Sequence, residues 1–276
     1  GALLARDFLY KSRVWYLEPT PSVCPGCARG CTVNLWHRRR AWALQALDPA
    51  HNARIERVTP LENPAVNGPW ICNKGRDLGK LFGQARSTEP MLKGRAVTLA
   101  EAVAAARALI AGARRPVALV SNWGSNEELQ AFQQRLGARF TAYAKTDCQP
   151  QPGERLEDEL LIRDDKNPNT AGVRALFAPV PATLPADADL VLVWGEGCDF
   201  GALPRGAKTV LLGSWLRPEN GHADVFVPLS LQTERDGHYT NFAGVVSPFS
   251  ACAEKPAGVA HAATLFAQLA ADGERA

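Results

Sequence analysis

Four of the seven cysteines fall between residues 24 and 72, three of them in the run Cys24-Pro-Gly-Cys27-Ala-Arg-Gly-Cys31. After this C-x2-C-x3-C spacing, 40 residues pass before Cys72. No other feature constrains the fold as strongly, because the surrounding segment has little else to order it. Residues 17–80 carry Pro19, Pro21, Pro25, Gly26, Gly30, Pro49, Pro60, Pro64, Gly68, Pro69 and Gly75. A stretch with so much backbone punctuation needs an outside staple. Short strands are expected within it at 32–36 and 55–59.

Several readings of the thiols compete. Four thiolates match the four irons of a [4Fe–4S] cluster, one each. Three close cysteines on a curled loop can wrap one side of such a cubane, and a fourth from a distant segment closes the fold around it. Pro25, Gly26 and Gly30 let the loop curl and let its N–H groups reach the sulfides, contacts that tune reduction potential. A structural zinc also takes four ligands, but its usual spacing pairs one close C-x2–4-C with a second close pair, which is missing here. A redox C-x-x-C uses two cysteines at a helix start and would leave Cys31 over. Unrelated buried cysteines are the bland alternative. The iron–sulfur reading accounts for the most residues. Cys148, Cys198 and Cys252 have no partners at ligand spacing.

Composition narrows the class further. An apolar share of 46% excludes a disordered chain. No run approaches the roughly 18–20 apolar residues of a membrane span, and Arg6 and Asp7 interrupt the apolar start that a secretory signal would need. Seven cysteines are too few for a disulfide scaffold in a chain of 276 residues. The net charge of +3 hides an asymmetry: residues 1–95 hold 15 Lys and Arg against 7 Asp and Glu, and the remainder 16 against 21. Arg29, Lys74 and Arg76 lie beside the cysteines in sequence and could offset the negative charge of a thiolate-bound cluster. The run His37-Arg38-Arg39-Arg40 follows a strand and is expected as a solvated hairpin tip, with a nucleic-acid contact as its sharper alternative.

Near residue 96 the character changes. Thr98-x-x-Glu101 and Ser125-x-x-Glu128 are capping boxes, opening helices that run to about Arg114 and to Gly137. Strands are expected at 116–121, 140–143, 189–194, 208–213 and 224–228, an irregular hairpin over 234–249 and a last helix over 257–271. This alternation predicts a parallel sheet covered by helices. Residues 144–170 read as a polar loop. Gly195-Glu-Gly197-Cys-Asp-Phe-Gly201 approximates a dinucleotide fingerprint, but its third glycine is late and no helix opens after it, so a tight strand-exit loop is expected. The fold class is α/β: a lead-in at 1–16, a small loop-rich β domain for the cluster at 17–80, and a parallel-sheet α/β scaffold at 81–276.

Thr20 to Cys31, together with Asn67-Gly-Pro-Trp-Ile-Cys72-Asn-Lys74-Gly75-Arg76, resembles the iron–sulfur domain that opens the molybdopterin-type oxidoreductases. The lead-in Asp7-Phe8-Leu9-Tyr10-Lys11-Ser12-Arg13-Val14-Trp15 resembles the family of molybdopterin-type iron–sulfur subunits in bacterial NADH:quinone oxidoreductase, respiratory complex I. The runs Asp164–Asn169 and Thr233–Phe242 are similar to that family as well. The resemblance implies one [4Fe–4S] cluster on Cys24, Cys27, Cys31 and Cys72, passing electrons one at a time. It implies Lys74, in a C-x-Lys-Gly motif, as a residue shaping the cluster's field. It also implies other subunits of a multi-subunit respiratory complex as partners, in the peripheral arm on the cytoplasmic side of the membrane.

Two departures qualify the picture. The ferredoxin-like ligands that usually precede this region are absent, so the chain is expected to be the later part of a longer or split protein. The α/β region is short for a molybdopterin enzyme, so no pterin is expected, nor Cys148 or Cys198 as molybdenum ligands. The alternatives are a subunit of a molybdopterin-dependent, formate dehydrogenase-like enzyme and, last, a zinc-stabilised nucleic-acid binder using Arg38–Arg40.

Overall fold

The computed structural model describes residues 8, 12–39, 52, 54–150, 152–154 and 157–271. Most of the 1–16 lead-in, and Arg40, lie outside the described residues. The chain divides into two compact units.

The first unit comprises Gly1–Gln84, Pro150–Pro168 and Leu231–Glu254. The α/β stretch that begins near residue 81 therefore lends two of its segments to the cysteine-bearing unit. Its sheet has three antiparallel strands in the order β1 (Leu17–Val23), β2 (Thr32–Arg38), β3 (Arg57–Pro60). Strand β1 includes Pro19 and Pro21, which are tolerated because β1 lies at the edge. Two residues apart, they turn their missing N–H groups to the same outer side, where the Pro21 carbonyl accepts the Ser250 N–H at 3.2 Å. In the central strand the alternation buries Val33, Leu35 and His37.

That alternation corrects the expected hairpin tip at 37–40. His37 and Arg38 are strand residues, paired with Glu18 and Leu17 of β1. The buried His37 ring is satisfied by Thr20 Oγ1 at 2.8 Å and by the Arg38 carbonyl at 3.0 Å. The Arg38 guanidinium lies 5.2 Å from the Tyr16 ring centre, and Arg39 Nε donates to the Leu17 carbonyl at 3.0 Å. Both arginines thus serve local structure. A hairpin, Gly237–Thr240 with Val246–Phe249, completes the unit. Ahead of it in the chain, Gln232 is tied to β1 through its Nε2, which donates to the Val23 carbonyl at 2.7 Å and to Ser22 Oγ at 3.0 Å.

The second unit comprises Ala85–Gln149, Asn169–Ser230 and Lys255–Ala276. It is built on one eight-stranded sheet of β4 (Met91–Leu92), β5 (Arg95–Ala96), β6 (Pro116–Ser121), β7 (Thr141–Lys145), β8 (Ala178–Pro179), β9 (Leu190–Trp194), β10 (Lys208–Gly213) and β11 (Val225–Pro228), in the order β5-β4-β11-β10-β9-β6-β7-β8. From β11 to β8 every pairing is parallel, and only β4 and β5 are antiparallel. Strand β9, Leu-Val-Leu-Val-Trp, is buried along its whole length, as a central parallel strand covered on both faces must be. The helices Leu99–Gly112 and Asn126–Leu136 open on the two capping boxes, and Ala262–Ala270 is the last helix. Gly137 ends the second helix with φ −58°, in right-handed and not left-handed backbone. Together these residues form the mixed α/β architecture expected, a small antiparallel sheet followed by a large, mostly parallel one.

Candidate metal centre

Within the first unit, Cys24, Cys27, Cys31 and Cys72 line one cavity of about 330 Å³. The loop from Cys24 to Cys31 is closed at its base by the Cys24 N–H, which donates to the Cys31 carbonyl at 2.8 Å. Gly30 allows the return with φ +64°, a backbone that side chains rarely adopt. Cys72 arrives at the start of the short helix Asn73–Arg76 and caps it, its Sγ accepting the Gly75 N–H at 3.4 Å. Gly75 is needed for space: a Cβ there would stand 2.5 Å from Ile71 Cγ1.

Further backbone N–H groups aim at the sulfurs. Gly26 donates to Cys24, and Arg29 and Arg163 donate to Cys27. Burial is the main force on the thiols and raises the pKa of Cys24, Cys27 and Cys31, the last to about 12. For Cys24 and Cys31, the neighbouring cysteines come next and push in the same direction, because several thiolates side by side repel. Such a site calls for a cationic metal core to hold four thiolates together.

The four cysteines stand on the walls of one space with room for a group of several atoms. A tetrahedral zinc would draw its sulfurs to about 2.3 Å from a single point, whereas a [4Fe–4S] cluster takes each thiolate on a separate iron.

The wall includes residues that the sequence reading left in a polar loop. Leu161, Ile162, Glu154 and Lys166, all from the Pro150–Pro168 segment, join Ile71 and Lys74 around the cysteines. The segment is fastened to the cysteine loop by the Ala28 N–H, which donates to the Asp165 carbonyl at 2.8 Å. The Asp164–Asn169 run was its only signal in the sequence, and only through family resemblance. Of the cations expected beside the ligands, Lys74 lines the cavity and pairs with Glu154 at 2.8 Å. Arg29 acts on Cys27 through its N–H, while its guanidinium donates to the Val66 carbonyl at 2.8 Å and lies 5.6 Å from the Phe242 ring centre. Arg76 is exposed and is not among the cavity residues. Cys252 is buried in the same apolar core as Cys24 and Cys31 but does not line the cavity.

In the second unit, the carboxyl ends of the parallel strands form the usual ligand position of such a sheet, where the connections diverge between β6 and β9. Here the polar groups serve one another. Asp147 accepts from Ser121 Oγ at 2.8 Å, the Asn122 N–H at 2.7 Å and Lys145 Nζ at 2.6 Å. Lys145 also donates to the Glu196 carbonyl, and the Glu196 carboxylate accepts the N–H groups of Ser214 and Trp215. Burial raises the Glu196 pKa against the pull of those two donors. Gly195 and Gly197, both with positive φ, form the strand-exit loop expected in place of a dinucleotide fingerprint.

Residues 17–82, which hold the four cysteines, match the molybdopterin oxidoreductase Fe4S4 domain, and this part of the chain is an iron–sulfur domain of the molybdopterin oxidoreductase superfamily. The chain is homologous to two kinds of subunit in that superfamily. It is 30% identical over 215 residues to the NADPH-Fe(3+) oxidoreductase subunit alpha of Geobacter sulfurreducens, covering 75% of this chain and 22% of that protein. To an NADH-quinone oxidoreductase subunit of Streptomyces coelicolor it is 33% identical over 95 residues, 34% of this chain and 10% of that one. The chain therefore spans less than a quarter of the length of either relative. Among solved structures, a chain of the formyltransferase/hydrolase complex from Methylorubrum extorquens covers 66% of this chain with a TM-score of 0.44 and 10% identity. No helix among the described residues is long and apolar enough to cross a membrane.

Proposed function

We propose that this chain is an electron-transfer iron–sulfur subunit, or part of one, of an NADH:quinone oxidoreductase of complex I type. In this reading Cys24, Cys27, Cys31 and Cys72 ligate a single [4Fe–4S] cluster. The observation that carries it is four thiols, from two segments 40 residues apart in sequence, lining one cavity inside a matched Fe4S4 domain. Bound there, a cluster supplies reversible one-electron transfer. The chain's own residues supply the rest. The cysteines fix the irons, the N–H groups of Gly26, Arg29, Gly75 and Arg163 stabilise charge on sulfur, and Ile71, Leu161 and Ile162 limit water.

NADH and quinone chemistry belongs, in this reading, to other subunits of the peripheral arm, and the chain alone turns nothing over. The α/β unit is a scaffold. Several of its strand-end donors are taken by Asp147 and Glu196, and the reading assigns no pterin to it. The longer match to an NADPH-Fe(3+) oxidoreductase subunit favours a second reading, the same electron-transfer role in an NADPH-linked complex.

Anaerobic reconstitution is expected to give about four irons and four sulfides per chain and the EPR signal of a reduced cubane. A colourless protein with one tightly held zinc would overturn the cluster. Affinity purification from the native cell separates the two readings: a complex whose cluster is reduced by NADH, in the presence of quinone-reducing subunits, supports the first, and reduction by NADPH alone supports the second.

A further inference from the structure

Three charged side chains line the cysteine cavity: Lys74, Glu154 and Lys166. They are not equivalent. The Lys74 side chain is 54% exposed and that of Glu154 19%, whereas Lys166 retains only 2%. Lys166 Nζ donates to the Arg163 carbonyl at 2.7 Å and stands 3.9 Å from Glu154 Oε1, which Lys74 Nζ reaches at 2.8 Å. The backbone beside Lys166 is fixed twice over. The Asp165 carbonyl holds the Ala28 N–H of the cysteine loop, and the Asp165 carboxylate accepts both the N–H and the side-chain amide of Asn167. The positive charge of Lys166 reaches the ligands and favours the thiolate of Cys27, adding to the larger pull of the Arg163 and Arg29 N–H groups.

We propose that Lys166 is a positioning residue for the redox centre, a buried cation that holds the cluster's reduction potential up, with Glu154 set against it. The inference rests on the [4Fe–4S] reading above. Four thiolates make the bound cluster anionic, and reduction adds one more negative charge without a proton. A fixed cation therefore stabilises the reduced form more than the oxidised one, and a fixed carboxylate does the reverse. Burial decides which cation matters. Water and salt screen the exposed Lys74, while the apolar wall of Ile71, Leu161 and Ile162 leaves Lys166 less screened.

The test is a redox titration of the reconstituted chain, followed by the EPR amplitude of the reduced cluster, with iron and sulfide content measured on every sample. Lys166→Gln is expected to keep its iron and to show about a tenfold lower reduced-to-oxidised ratio at fixed ambient potential, a midpoint about 59 mV lower for one electron. Lys166→Arg keeps the wild-type midpoint. Glu154→Gln moves it upward. Lys74→Gln moves it down by less, and high salt abolishes that shift. A loaded Lys166→Gln protein with the wild-type midpoint, or the Lys166 and Glu154 variants moving in the same direction, overturns the proposal. Should Lys166→Gln fail to load, Glu154→Gln decides: a raised midpoint supports the proposal, and an unchanged or lowered one overturns it. A wild-type chain that takes no four-iron cluster sinks the ligand assignment and this inference together. A loaded wild type with an unresponsive midpoint sinks only the role of Lys166.

Discussion

In the α/β unit, Phe132 meets Phe140, Phe177, Trp194 and Phe266, with ring centres 5.2 to 6.2 Å apart. These rings lie within a core of 27 buried residues among those described. Among the described residues the main core of the cysteine unit collects nine, three of them Cys24, Cys31 and Cys252, with Val23, Tyr239 and Phe249 in a separate small cluster. One unit has enough apolar area to order itself. The other has a three-stranded sheet with an edge strand bearing two prolines, long connections, and thiols where aliphatic side chains would otherwise be. Small apolar cores of this kind commonly rely on metal for their order. The contrast therefore sets a scaffold with a large apolar core against a site with a small one, and predicts that the order of the second depends on what it binds.

The largest effect expected from this contrast is on Cys27→Ser. It should lose most of its iron and, in hydrogen exchange, lose protection across 17–38 while 116–121 and 190–194 stay protected. Equal protection in both regions would break the comparison. Next comes Phe132→Ala, expected to cost about 3–5 kcal/mol in the α/β unit with unchanged iron content, read by denaturant unfolding beside iron analysis. A smaller loss, about 1 kcal/mol, is expected for Ser125→Ala, which removes the acceptor of the Glu128 N–H at the helix start.

The last effect is a slope. Because burial raises the Glu196 pKa in the folded protein, its share of stability is complete below the ordinary 4.5 and is lost as pH rises through the raised value. Glu196→Gln should flatten that part of the stability–pH curve. An unaltered slope would assign it to another group.

The legible parts of the molecule were the local ones. A capping box is written within four residues, and both boxes stand where Thr98, Glu101, Ser125 and Glu128 place them. Strands β6 and β10 have the bounds that their apolar runs suggest. The proline pair concealed β1, since proline breaks a strand everywhere except at an edge, and the edge exists only once β2 has paired with it. His37 and Arg38 misled for a related reason: a basic run looks solvated, yet strand alternation carries His37 inward beside Val33 and Leu35. The thiols could be read from their spacing, but not the wall opposite them. Glu154, Leu161, Ile162 and Lys166 belong to a segment with neither helical nor strand periodicity, and it gains its role only by meeting the cysteine loop from far along the chain.

That separation imposes an order on biosynthesis. When Cys72 leaves the ribosome, all four thiols are available, but Leu161, Ile162 and Lys166 are still untranslated. The strap at Leu231–Glu254, which belongs to the same compact unit, comes later still. The nascent chain thus has its sulfurs well before it has the means to cover them, so that, for the cluster proposed above, an open side for loading follows from the translation order itself.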